Sequence, residues 1–192
     1  MIKAHSCTLI GVAFVAGCMA TAHAADPAGR SVQFQKLQAR FTIPPGWEQT
    51  VAPKSPSNIH ALSETLAVRP VRGPHFPGRG INLMAITAEA ADAPEAVLER
   101  LASVSALLAA DLCSTGRLIK RESATLWGRP SLKLAVRCTP DDALGTATNV
   151  VYWIATDGRR TLILQANAEP ADWPATWKAF QNVTDSLVWP NP

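Results

Sequence analysis

The stretch from Asp92 to Cys138 constrains the fold more than any other part of the chain. From Pro94 to Leu112 apolar residues recur at helical spacing. Val97, Leu101, Val104, Leu108 and Leu112 form one stripe, with Glu95, Glu99 and Arg100 outside it. Asp92 stands where an N-cap belongs, and Glu95 three residues on completes a capping-box pattern. Pro94 falls in the first turn, where a missing N–H has no intrahelical partner to lose. The stripe ends at Cys113. Two strand-like runs follow at about 118–126 and 131–138, turned by Trp127-Gly128-Arg129-Pro130. An amphipathic helix running into a strand pair specifies a helix packed on an antiparallel sheet.

The start of the chain carries an export pattern. Lys3 precedes an apolar run over 9–20 that is too short for a stable membrane anchor. Ala22-His23-Ala24 then offers a small-x-small cleavage site, which makes residues 1–24 a signal peptide and 25–31 a flexible leader. Val15-Ala16-Gly17-Cys18 supports a second reading, a lipobox in which Cys18 is acylated and anchors the protein to a membrane. The soluble reading is preferred, because the apolar run continues through Met19 to the cleavage site. On either reading Cys113 and Cys138 are the two thiols left over, and they are expected to form a disulfide in an oxidising compartment, the periplasm or beyond.

The remaining residues, 32–192, suffice for one domain with a hydrophobic core. The formal charge is +3, and losing Lys3 with the leader lowers it to +2, because no Asp or Glu precedes residue 25. So small a charge argues against nucleic acid as the main partner. Residues 32–37 and 39–43 alternate as a strand pair, and Pro44-Pro45-Gly46 turns the chain into Trp47. Residues 51–58 read as loop, and 59–68 as strand or helical turn. Ile81, Leu83, Ala85 and Thr87 alternate with Asn82, Met84 and Ile86, as in a central strand covered on both faces. Two β-prone runs at 149–155 and 161–166 flank Asp157-Gly158, a hairpin signal. Asp172 is placed to cap a last helix with Trp173, Trp177, Phe180, Val183 or Thr184, and Leu187 on one face.

This order of elements, together with Phe41-Thr42-Ile43-Pro44-Pro45-Gly46-Trp47 and the closing run 180–187, resembles the Mog1/PsbP-like superfamily and its bacterial envelope members. The resemblance implies an α+β fold, an antiparallel β-sheet flanked by two main helices in an α/β/α sandwich. It also implies binding or adaptor work and no enzymatic activity.

Chemical motifs are scarce. His60 and His75 lack metal-ligand spacing, and no cofactor or metal is expected. No Gly-x-Ser-x-Gly elbow is present, so a hydrolase with an unrecognised site ranks last and no catalytic residue is assigned. Most of the tryptophans read as packing residues, and Trp127, in its turn beside Arg129, is the one for which exposure is allowed. The segment 69–80 holds three Pro, three Gly and three Arg, which forbid a helix or central strand. Arg69, Arg72, His75, Phe76 and Arg79 are therefore the candidate partner-binding residues, with little expected role in folding. The sequence reading is a periplasmic or secreted binding protein with a protein partner, for example a toxin-inhibiting immunity protein. The alternative is a lipid-anchored accessory of an envelope or secretion assembly.

Overall fold

The structure, a computed structural model, describes residues 29–50, 63–71, 79–112, 115–139 and 147–190. Nine strands and two helices follow in the order β1 (Arg30–Phe34), β2 (Ala39–Ile43), β3 (Trp47–Thr50), β4 (Ser63–Pro70), β5 (Gly80–Thr87), α1 (Pro94–Leu112), β6 (Thr115–Leu126), β7 (Arg129–Thr139), β8 (Thr148–Thr156), β9 (Arg160–Ala168) and α2 (Trp173–Ser186). Seven of the strands form an antiparallel sheet in the order β3-β4-β5-β9-β8-β7-β6, while β1 and β2 pair as a separate hairpin. The expected α+β architecture is what the chain adopts.

Period-two alternation decides what each face of the sheet meets. On one face Leu132, Leu134 and Val136 of β7, with Val150, Tyr152 and Ile154 of β8, pack under Leu98 and Ala102 of α1. On the other, Val68, Ile81, Leu83, Leu162 and Leu164 pack under Ala179, Phe180 and Val183 of α2 and under Phe34, Phe41 and Ile43 of the hairpin. Among the described side chains of α1, Leu98 and Ala102 are buried and Leu101, of the expected stripe, is partly buried beside them, while Val104, Leu108 and Leu112 lie outside the described side chains.

Turns account for the sharp reversals. The β6–β7 hairpin closes through two residues only, Trp127 and Gly128, both at positive φ, while Arg129 and Pro130 already belong to the strand. In the β8–β9 hairpin the Asp157 carboxylate accepts from the backbone N–H of Arg159 and Arg160. Gly158 lies at φ +91°, and a Cβ there would come 2.1 Å from the Asp92 carbonyl oxygen. Asp92 itself donates its N–H to the Gly158 carbonyl, and its carboxylate pairs with Arg100. The residue expected to cap α1 therefore ties the helix start to a hairpin two strands away. Asp172 does occupy the N-cap position of α2, but its side chain makes no cap bond and pairs with Arg79 at 2.8 Å instead.

Candidate functional site

The two helices cover opposite halves of the sheet. On its own face, α2 and the hairpin sit over β5 and β9, and the β6–β7 side of that face lies beyond the helix. There the cross-strand register places Arg117 opposite Arg137, Lys120 opposite Ala135 and Glu122 opposite Lys133. A bulge at Ile119 brings Arg117 and Lys120 onto the same face although they are three residues apart.

Where this open strip meets α2, Trp153 and Trp177 form its inner wall. A groove of about 230 Å³ is lined by Lys120, Glu122, Lys133, Ala135, Trp153 and Trp177 among others. Trp173 stacks on Trp177 at 5.8 Å, Trp177 meets Trp153 edge-on at 6.1 Å, and the Lys133 ammonium lies 4.4 Å from the Trp153 ring centroid. All three rings are half-buried, with Phe180 fully buried beneath them. The last helix thus has two kinds of aromatic residue on one side, a core anchor and a partly exposed rim. Helical spacing groups them together and cannot tell them apart.

Electrostatically the strip is cationic. Lys120 pairs with Glu122 at 2.6 Å, and both are largely exposed. Lys120, with a smaller contribution from Lys133, holds the Glu122 carboxyl below the usual carboxylate range. One carboxylate is therefore shared by two lysines, with Arg117 and Arg137 alongside, both exposed.

The opposite face carries a polar line that the sequence reading missed. Arg69 donates to the Val68 and Ile81 carbonyls and, at 2.8 Å, to Asn82 Oδ1. Asn82 donates to Gln165, and Gln165 reaches the Tyr152 hydroxyl at 3.5 Å. Burial lowers the Arg69 pKa and pushes the Tyr152 hydroxyl up to about 12. Arg69 is therefore a β4 residue spread on the sheet, and not part of a loop.

The other candidate residues fall as follows. Arg79 pairs with Asp172 and is largely buried, so Arg69 and Arg79 both contribute to the fold, contrary to expectation. Arg72, His75, Phe76, His60, Cys18 and Cys113 lie outside the described residues. Cys138 is buried on the α1 face, opposite Gly116. Trp127, the one tryptophan allowed to be exposed, is half-buried against the core and donates its indole N–H to the Thr184 carbonyl. Arg129 is buried, stacks over Trp189 at 4.0 Å and donates to the Trp127, Trp189 and Pro190 carbonyls, which pins the chain after α2. Among the described residues no group of three or more His, Cys, Asp or Glu could hold a metal ion, and no helix is long and apolar enough to cross a membrane.

No family model and no curated protein sequence matches the chain. Solved structures do. Cyanobacterial PsbP (CyanoP) from Synechocystis sp. PCC 6803 superposes with a TM-score of 0.61 at 14% identity, covering 97% of this chain and 98% of that one. LpqN of Mycobacterium tuberculosis, involved in cell envelope biogenesis, gives 0.55 at 16% identity over 86% and 87%. The Saccharomyces cerevisiae Ran-binding protein Mog1p gives 0.53 at 9% identity over 85% and 95%. At such identities the likeness speaks for fold alone, and on that ground this chain has the Mog1/PsbP-like fold.

Proposed function

We propose that the protein is an exported, non-catalytic binding protein of the bacterial periplasm that recognises another protein. The observation that carries this reading is the aromatic rim Trp153–Trp177–Trp173, half-exposed beside a charged groove on the part of the sheet that α2 leaves open. Tryptophan and a basic side chain at an exposed rim are the mix from which binding hot spots are built. A fold that in yeast belongs to a Ran-binding protein is compatible with such work. A toxin-inhibiting immunity protein is one concrete form of this reading. Arg72, His75 and Phe76 belong to it as further docking residues.

The test is capture from periplasmic extract with the wild type and with Trp177→Ala, read by mass spectrometry beside the melting temperature of each. A protein enriched by the wild type and lost with a variant that remains folded supports the reading. Equal recovery by both would sink it. Acylation at Cys18 would favour the membrane-anchored accessory, and the intact mass of the exported chain decides between the two.

Export also implies an oxidised Cys113–Cys138 pair. Thr115, two residues after Cys113, pairs with Thr139, the residue after Cys138. A bridge closing this loop stabilises by roughly 3.5 kcal/mol in the chain-entropy model. Non-reducing peptide mapping should recover the two cysteines linked, and free thiols at both would overturn the assignment.

A further inference from the structure

We propose that the partner docks as an extended acidic segment added to the outer edge of β6, with its carboxylates over Arg117, Lys120, Lys133 and Arg137. The proposal rests on the reading that this chain binds a protein, and it names that protein's docking chemistry.

The charge pattern comes first. Arg117 and Arg137 face each other directly across β6 and β7. Like charges in that position destabilise a sheet, so this pair does not serve the fold. Four cations and one carboxylate, Glu122, share the strip, and the ion pair between Lys120 and Glu122 is too exposed to contribute much. An anionic partner would relieve the repulsion, whereas water and salt only screen it.

The second observation is the edge. β6 is the outermost strand, and among the described residues none pairs with its outer side. A strand of twelve residues there presents a long row of backbone donors and acceptors. Leu118 and Ile119 are 48% and 59% exposed at its beginning, apolar surface that an added strand would cover. A second copy of this chain does not fit. Arg117, Lys120 and Arg121 outweigh Glu122 on β6, so two such edges repel, and charge with a bulge is how natural edges avoid self-pairing. The same features welcome a strand of opposite charge.

Spacing makes the partner an extended peptide. An added strand turns every second side chain, about 6.8 Å apart, onto one face. Lys133, Ala135 and Arg137 on β7 repeat with that period, and Lys120 and Glu122 on β6 do the same. Alternating carboxylates would lie over the cations while the main chain pairs with β6.

The probe is a ten-residue peptide alternating glutamate and threonine, titrated into the 15N-labelled protein, with a lysine–threonine peptide as its opposite. The glutamate peptide should shift and protect alternate β6 amides from Lys120 to Leu126. Its affinity should fall by about tenfold or more as salt rises, as expected for a contact built on exposed charges. Lys133→Glu with Arg137→Glu should abolish glutamate-peptide binding and admit the lysine peptide, with the dispersion of the 15N spectrum showing that the variant remains folded. Equal binding of both peptides would overturn the proposal, as would shifts confined away from β6, or tighter binding of anionic vesicles or a single-stranded oligonucleotide at the same residues. If a protein is captured through Trp177 and the double reversal leaves that capture intact, the docking proposal fails while the binding reading stands. If nothing is captured, the binding reading fails as well.

Discussion

On the face that carries α2, the two halves of the main sheet differ in everything except their period. Over β4, β5 and β9 that face includes Val68, Ile81, Leu83, Ala85, Leu162, Leu164 and Ala166, all inaccessible to solvent, with Leu66 partly buried beside them. Away from their turn, β6 and β7 direct Arg117, Lys120, Glu122, Lys133, Ala135 and Arg137 to it. β7 shows the contrast within one strand, since Leu132, Leu134 and Val136 lie under α1 while Lys133 and Arg137 face outward. Alternation fixes which side a residue takes, and the residue type then reflects what covers that side. The open half is thus basic and aromatic-edged where the covered half is apolar.

If the covered half is the source of stability, its anchor should be expensive to remove. Phe180 is fully buried and touches both Trp153 and Trp177 ring to ring. Phe180→Ala should therefore cost about 3–5 kcal/mol, by lost transfer energy plus the cavity left behind. Chemical denaturation would read this directly. A loss under about 1 kcal/mol would mean that α2 is not the lid of that half.

The hairpin between β8 and β9 ties the halves together, and Gly158 is its tightest point. Gly158→Ala combines positive φ with a Cβ driven into the Asp92 carbonyl, so roughly 1–3 kcal/mol should be lost. The loss should concentrate at the start of α1, visible as faster amide exchange at Asp92 and Val97, whose N–H groups bond Gly158 and Ala93.

A smaller effect should appear in acid. Burial alone would raise the Asp157 pKa, but the Arg160 amide and guanidinium and the Arg159 amide outweigh it and hold the carboxyl below its ordinary value. A depressed folded pKa adds stability at pH above the ordinary carboxylate value, and that stability is lost as pH falls through the folded value. Asp157→Asn should flatten the acid limb of the stability curve below the carboxylate range and leave its shape at neutral pH unchanged. An acid limb as steep as that of the wild type would assign the dependence to other groups.

Much of the fold was legible because period and punctuation act locally. The hairpins at Trp127-Gly128 and Asp157-Gly158 and the 94–112 helix follow from turn chemistry and spacing in the chain itself. The candidate site was not legible, for a definite physical reason. Trp153, Trp173 and Trp177 have the spacing of core residues, and only the finite width of α2 leaves them at a rim. The basic strip depends on a bulge at Ile119 that puts Arg117 and Lys120 on one side, and on β7 pairing in register with β6. Arg69 was misread as loop because the proline after it suggests a break. Pro70 instead ends β4 opposite Trp47, beyond the last β4–β5 pair at Val68 and Ile81, where no β5 residue stands across from it.

The smallest effect bears most directly on the open half. Arg137 is exposed and faces Arg117 across β6 and Asn149 across β8. Arg137→Glu replaces a like-charge pair with an opposite one, and cross-strand charge pairs of that kind are worth about 0.2–1 kcal/mol. The variant should thus be slightly more stable than the wild type. The gain should shrink in molar salt, where the screening length falls to about 3 Å. Urea denaturation with an unchanged slope would establish that the folded state alone has responded. If instead the variant loses more than about 1 kcal/mol, Arg137 is held by contacts of the fold and the strip is not a free surface. A gain in stability would mean that the wild type keeps arginine here at a cost, which only something outside the isolated chain can offset.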